Sequence, residues 1–368
     1  MEFMGIDLHT DCFNHCTLDE GTKKKVGTYS IDKESLEKFY KILTPETYVI
    51  VESTTNSFKF TELIQDKVKD VNISNTYAMK LISFTNKKTD KVDAEKLARV
   101  LKMQILSGEE QIKRVELPPP IIQELRALFS TYKFLGKQRT QLKNRIHSLL
   151  KQNLYPFNKV MIFNNKIRDK ILNISEARGL KFQLKILFDE LDHLEETIKL
   201  LVTEIEVMGS SYMKEIEILT SMQGISVFTA IAIISDIIDV KRFPNSKKFA
   251  SYLRSAPKVE SSNNKTLIKS TNKQGRKLTI SLLYQSLNHF INSNRSIEHW
   301  YDKLSEYKKV GKVRMGTCRR FITVIYQLLK KEEYYRFMDI KNHDRKMHAY
   351  MVLLEKNKVN ISKWKEVS

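Results

Sequence analysis

Two apolar seams at heptad spacing constrain this chain more than any other feature. Ile121, Leu125, Leu128, Tyr132, Leu135, Leu142, Ile146 and Leu149 form the first, broken only by Arg139. Leu180, Leu184, Leu187, Leu191, Leu194, Ile198, Leu201, Ile205 and Met208 form the second. Spacing of 4,3 puts one continuous apolar stripe on a long helix, and such a stripe is stable only against another. The two seams predict a long helical coiled coil, closed either as an antiparallel hairpin within the chain or across a dimer; spacing allows both. The basic region between them, about 153–178, reads as a helical insertion at the hairpin tip. Pro118-Pro119-Pro120 ends whatever comes before, and Gly209-Ser210-Ser211 marks the far boundary.

Before the prolines, short strands and helices alternate. Phe3-Met4-Gly5-Ile6-Asp7-Leu8 reads as a buried strand carrying one carboxylate, with further strands at about 12–18 and 26–31 near Gly21 and Gly27. A helix follows near 33–43 on Leu36, Phe39, Tyr40 and Leu43. The β-branched run Tyr48-Val49-Ile50-Val51 then ends at Glu52, before a helix over about 58–69 and a strand over about 70–75. Three strands followed by alternating helix and strand predict an α/β domain with a mixed sheet. An ionised carboxylate within an apolar strand is costly unless paired or metal-bound, and Asp7 and Glu52 make two. Asp90 and Asp93 open the segment Lys88-Thr89-Asp90-Lys91-Val92-Asp93-Ala94-Glu95-Lys96-Leu97-Ala98, where their spacing puts both on one face of a helix's first turn. Helix capping alone explains acids at such a place; the strand carboxylates turn the four into a candidate site. Together they supply hard oxygen ligands of the sort that hold two Mg2+ ions, with Mn2+ as the alternative, for phosphoryl transfer.

The 368 residues carry a formal net charge of +20, which points to polyanions. Half of that excess lies in residues 241–280, where eleven Lys or Arg meet one acid, Glu260. A merely solvated face mixes signs, so phosphate contact is the reading there. No apolar run approaches the ~20 residues of a membrane helix, and no secretory signal opens the sequence, so no membrane partner is expected. Cys12, Cys16 and Cys318 make no disulfide framework, which suits a reducing cytoplasm. Cys12 and Cys16 with His9 and His15 lack the second half of a zinc site. Beyond residue 210, Gln223-Gly224-Ile225-Ser226 lies between two apolar helices, like a helix-hairpin-helix turn whose backbone N–H groups suit a phosphate. An ordinary helical corner has the same signature. Helices follow at about 277–292, 298–307 and 314–331, and the polar stretch 339–368 reads as a charged tail.

Three motifs together resemble the DEDD transposases of bacterial insertion sequences: Gly5-Ile6-Asp7, Val51-Glu52-Ser53-Thr54, and Lys88-Thr89-Asp90 with Asp93-Ala94 and Leu97-Ala98. Later segments agree in order: Gln223-Gly224-Ile225-Ser226, Thr229-Ala230, Arg242-Phe243, Pro257, a serine, Lys273-Gln274-Gly275, and Gly311-Lys312 before a basic helix. The resemblance spans about residues 1–330. Departures mark a divergent member. The family's Ser-Gly is Ser262-Asn263-Asn264, Thr55 stands for a glycine and Thr76 for a proline. Asn is the next-best residue for a left-handed turn.

The resemblance implies an RNase-H/RuvC-like catalytic domain at 1–117 and a coiled-coil hairpin and dimerisation region at 118–210. A mainly α-helical, serine-bearing transposase domain follows at 211–338, then the charged tail, 339–368. It implies exchange of donor and target DNA guided by a structured non-coding "bridge" RNA, in a bacterial cytoplasm at the nucleoid, by a dimer that pairs into a tetramer on DNA. Asp7, Glu52, Asp90 and Asp93 with Mg2+ then act beside a nucleophilic serine. Counting from Pro257 selects Ser262, with Ser261 as the alternative. Lys265, Lys269, Lys273, Arg276, Lys277, Lys312, Arg314, Arg319 and Arg320 are candidate phosphate contacts. Two other readings stay open: a RuvC-like metal-dependent nuclease or junction resolvase that needs no serine, and a catalytically inactive nucleic-acid-binding relative.

Overall fold

Period-two alternation along the first strands builds a sheet with two different faces. The computed structural model describes residues 1–74, 90–109, 114–155, 161–174, 177–262, 265–271 and 275–360, the backbone alone for 91, 165, 174, 258–262 and 265–271. The chain forms two units, Met1–Leu117 and Pro118–Ser368. In the first, β1 (Glu2–Leu8), β2 (Cys12–Asp19) and β3 (Lys24–Ser30) form a meander. Then come α1 (Lys33–Tyr40), β4 (Thr47–Glu52), α2 (Ser57–Ile64), β5 (Asp70–Ser74), α3 (Asp90–Ser107) and the short β6 (Arg114–Val115). The sheet order is β3-β2-β1-β4-β5-β6. β4 runs parallel to β1 and β5, and the other neighbours are antiparallel. This mixed sheet agrees with the expected RNase-H-like domain.

One face packs Met4, Ile6, Leu8, Phe13, Val49 and Val51 against Phe39 of α1 and Phe60 and Ile64 of α2. The other lies under α3: Phe3 and Ile50 meet Leu97, Val100 and Leu101, and Cys16 meets Ala94 and Ala98. Gly5 is the point of closest approach. A Cβ there would sit 2.2 Å from the Ala94 carbonyl oxygen and 2.4 Å from the Ala98 nitrogen. Glycine opposite alanine is therefore what lets α3 lie this close to β1. Glu95 of α3 also ion-pairs with Lys24 of β3 and with Arg99, which pins the helix across the meander.

The α1–α2 face buries His15 beside Tyr29 and Phe39. Burial lowers its pKa from 6.5 to about 4, so the folded ring stays neutral where the unfolded one takes a proton. Between those values the unfolded chain binds more protons, and stability falls as pH falls, by at most roughly 3 kcal/mol. Urea unfolding at about pH 7 and about pH 4.5 is expected to show that loss in the native protein and a smaller one in His15→Phe. Equal losses would assign the acid sensitivity elsewhere.

The second unit opens with α4 (Pro120–Gln152), whose first residue is a proline, a position where the missing N–H costs nothing. α5 (Asn165–Ile174) and α6 (Arg178–Met208) follow. α4 and α6 pack antiparallel. Ile146, Leu149 and Leu150 meet Leu180, Leu184, Phe188 and Leu191 at one end, while Ile122, Leu125 and Phe129 share a core with Ile205 at the other. Of the two pairings that the spacing allowed, this is the hairpin. α5 caps its tip through Arg168, which pairs with Asp192 and stacks on Phe188.

Next come α7 (Met213–Thr220), α8 (Val227–Ile237), α9 (Ser246–Tyr252), β7 (Pro257–Ser262), β8 (Lys265–Thr271), α10 (Leu278–Gln285), α11 (Leu287–Asn292), α12 (Arg295–Ser305), α13 (Val310–Lys331) and α14 (Ile340–Lys356). Every residue of α8 is buried, as expected of a helix apolar all round. It runs through a core with Phe249, Leu283, Phe290, Phe321 and Ile325. Residues 257–262 and 265–271, given no element above, pair as the antiparallel strands β7 and β8. Residues 340–356 correct the expectation of a tail. Tyr350 and Leu354 join the core, and the Tyr350 hydroxyl donates to the Glu206 carbonyl at 2.8 Å. Lys346 Nζ donates to the carbonyls of Thr220 (3.0 Å), Met222 (3.4 Å) and Ile225 (3.0 Å). It thus holds the carbonyl side of the turn at Gly224, where φ is +86° and the Cα packs on Ser286 and His289. Charged residues between the buried positions His343, Tyr350 and Leu354 hide this helix from composition.

Candidate active site

The alternation that puts Phe3 and Gly5 under α3 continues to Asp7, and the same phase on β4 runs Tyr48, Ile50, Glu52. β1 and β4 are parallel neighbours with Ile6 opposite Val51. Both carboxylates therefore leave the α3 face at the carboxyl ends of adjacent strands. Asp90 is the first residue of α3, and the close approach at Gly5 brings that helix end to them.

Asp7 is buried, close enough to Glu52 for the two carboxyls to share a hydrogen bond when one of them holds a proton. Burial first, then that hydrogen bond and the charge of Glu52, raise its pKa to about 7; Asp90 adds to the rise and His9 opposes it. Such crowding of carboxylates is relieved by a cation. His9, just past β1, places Nε2 3.5 Å from Asp7 Oδ2 and 3.3 Å from Asp90 Oδ2. Ligand atoms of Asp7, His9 and Asp90 all lie within 4.8 Å of one another, a candidate metal site. Asn56 ties down the His9 loop. Its Nδ2 donates to the His9 carbonyl at 2.9 Å while its Oδ1 accepts from Thr54 Oγ1 at 2.8 Å. On β5, Ser74 pairs with Glu52 in register, and its Oγ is buried without a hydrogen-bond partner among the described residues. An orphaned hydroxyl beside crowded carboxylates fits a hard, oxygen-seeking divalent ion.

Not every expected ligand converges. Asp93 Oδ1 accepts from Lys96 Nζ at 3.0 Å within α3, outside the Asp7–His9–Asp90 group. Lys88 and Thr89 of the motif lie outside the described residues. The zinc-like pattern is dispersed: Cys16 lies under α3, His15 on the opposite face, and His9 with the carboxylates. His9 itself enters the sequence reading only through that pattern. Its position two residues after Asp7, in the same strand phase, was the signal.

In the second unit, Ser262 ends β7 and pairs with Lys265 at the start of β8, and Ser261 pairs with Thr266. The side chains of both serines, Lys265 and Lys269, and the whole of Lys273, lie outside the described residues. Arg314 and Arg319 are half-buried and bonded within the unit. Arg314 donates to Asn288 Oδ1 at 2.8 Å and lies over the Tyr284 ring. Arg319 donates twice to the Ser255 carbonyl, at 3.1 and 2.9 Å. Both knit α13 to its neighbours. Lys277 and Lys312 are exposed, and Arg320 lies exposed over Trp300. Arg276 approaches the buried carboxylate of Asp236 at 3.6 Å.

No helix among the described residues is long and apolar enough to cross a membrane. A search of curated proteins finds no match. Two family models do match: residues 4–155 match a transposase model of the DEDD, IS110 type, and residues 216–302 match the model described as Transposase IS116/IS110/IS902 family. They describe successive parts of one kind of protein, appear here in order and together cover more than half of the chain. With carboxylates at the ends of β1 and β4 and at the start of α3, the chain belongs to the IS110-type DEDD transposases, enzymes that bind and recombine DNA.

Proposed function

We propose that this transposase moves an insertion sequence under the guidance of a structured non-coding RNA, with Asp7, Glu52, Asp90 and Asp93 holding Mg2+ and Ser262 as nucleophile. The observation that carries this reading is the self-repelling group of Asp7, Glu52 and Asp90 beside His9, in a chain that also carries the family's C-terminal segment. Asp93 completes the set when its pairing with Lys96 opens. Two Mg2+ ions fit four acidic ligands, with Mn2+ as the alternative. A bound cation stabilises the charge that develops on the phosphoryl oxygens.

The remaining chemistry belongs to side chains and substrate. Ser262 Oγ bonds to the phosphorus, and the P–O3′ bond breaks. The serine proton passes to a base, and the departing oxygen takes a proton as the 3′-hydroxyl. A 5′-phosphoserine remains, and attack by the 3′-hydroxyl of a second strand frees the serine and joins the strands. Pairing with the RNA reads the sequence, which suits a very basic chain whose sequence shows no obvious base-reading helix. A dimer that pairs into a tetramer in a bacterial cytoplasm is the assembly that the reading requires.

Sequencing the RNA that co-purifies with the protein is the first check, and a discrete transcript flanking the element is expected. Labelled DNA carrying the element's end is then incubated with protein and that RNA, denatured, and examined for a covalent protein–DNA adduct. Ser262→Ala is expected to fold normally and to lose both adduct and strand joining, while Ser261→Ala keeps them. Cleavage that survives Ser262→Ala gives the reaction to carboxylates and water, as in a junction resolvase. A wild-type protein inert with RNA and Mg2+ marks an inactive relative.

A further inference from the structure

We infer that a cavity between α4, the end of α8 and the start of α10 binds one backbone phosphate of a nucleic acid through Arg126, Lys133, Arg276 and Lys277. The inference rests on the nucleic-acid reading above and adds a site to it. The cavity encloses about 130 Å³, room for roughly four waters at ~30 Å³ each, and so for one phosphate group. Among the described residues, its lining brings those four cations against a single carboxylate, Asp236.

Arg126 is held in place. Its Nε donates to the Ser235 carbonyl at 2.7 Å and its Nη2 to the Asp236 carbonyl at 3.1 Å, engaging two of a guanidinium's five donors. These carbonyls belong to the last turn of α8, so a helix end balances its charge in part. The Asp236 carboxylate is turned to α10, where it accepts from Thr279 Oγ1 at 2.6 Å and faces Arg276. Burial, with Arg276 next, lowers the pKa of Arg126, and burial raises that of Asp236. A half-buried cation crowded by a second one is relieved by an anion. Ser130 and Lys133 follow Arg126 at helical spacing, on the same face of α4. Lys277 precedes α10 without a side-chain cap on that helix. Guanidinium and ammonium donors converging on one small space suit the tetrahedral oxygens of a phosphodiester. Arg126 and Lys133 belong to the heptad region and Arg276 and Lys277 to the distant basic segment, so spacing along the chain does not join them.

The test measures binding of the full-length protein, across a salt series, to fluorescent duplex DNA carrying the element's end and separately to the co-purifying RNA. Losing one phosphate contact reduces the slope of log K against log salt by about 0.9 on duplex DNA and about 0.7 on single strands. Lys133→Gln, at an exposed position, is expected to show that reduction, and so is Arg126→Gln if it keeps its melting temperature. Lys199→Gln, exposed on α6, is expected to leave the slope unchanged. A reduction on duplex alone assigns the phosphate to DNA, and on RNA alone to the guide; either supports the site. Slopes unchanged on both, with wild-type binding intact, overturn the cavity and leave the proposed function standing. Wild-type protein that binds neither overturns both.

Discussion

Asp7→Asn is expected to abolish strand cleavage and, in the same protein, to raise the stability of the metal-free fold. The first effect follows from losing the buried carboxylate that we propose holds the cation. Several kcal/mol of transition-state stabilisation, at ~1.4 kcal/mol per decade, is roughly a thousandfold in rate. The second follows from the pKa of Asp7, raised from 3.8 to about 7 by burial and by Glu52. Between those values the folded state holds a proton that the unfolded state has released, so stability falls as pH rises and the full penalty applies above about 7. Three decades of shift set a ceiling of roughly 4 kcal/mol, and asparagine removes it. In EDTA near pH 8 the variant should melt higher than wild type, and near pH 3.5 the two should converge. Mg2+ or Mn2+ should then raise the melting temperature of the wild type alone. A variant less stable than wild type in EDTA at high pH, or stabilised equally by divalent ions, would remove the carboxylate cluster as the metal site.

Gly5→Ala is expected to cost about 3 kcal/mol or more of stability and to lower cleavage at least a hundredfold. The added methyl meets the Ala94 carbonyl oxygen at 2.2 Å, the Ala98 nitrogen at 2.4 Å and Leu97 Cβ at 2.7 Å. Two of these are backbone atoms, so no rotamer change makes room and α3 must move away from β1. Asp90 moves with it, and a displacement of ~1 Å at a reacting centre costs ~10²-fold. Urea unfolding and a cleavage assay separate the effects. Ala94→Gly should not rescue the variant, because the clash is with the carbonyl and not with the Ala94 methyl. Near-wild-type activity in Gly5→Ala would mean that the helix and sheet are not held at this separation.

The same packing explains what was legible in the sequence. Asp7 and Glu52 stood out because strand alternation is short-range and a carboxylate violates it. Asp90 and Asp93 stood out because helical spacing is equally local. Ala94 and Ala98 look like mere helix formers until Gly5 is seen against them. His9 lies beyond the strand end and is held by Asn56, a contact that no local pattern encodes. The paired strands β7 and β8 were hidden among lysines, and α14 among charges that surround Tyr350 and Leu354. Arg314 and Arg319 carry a structural role that charge alone does not announce. Charge suggests phosphate, and Asn288, Tyr284 and Ser255 of the same unit also engage them.

The acidic residues that meet at the site come from positions 7, 52 and 90, and the last arrives with α3. A chain still being synthesised has β1 to β5 and its first two helices before that helix exists. Until then one side of the sheet lacks its cover over Phe3, Ile50 and Cys16, and Asp7 and Glu52 lack Asp90. Joining segments so far apart is a late, slow event in folding. For a DNA recombinase the consequence is temporal: until α3 packs on the sheet, the candidate site lacks Asp90.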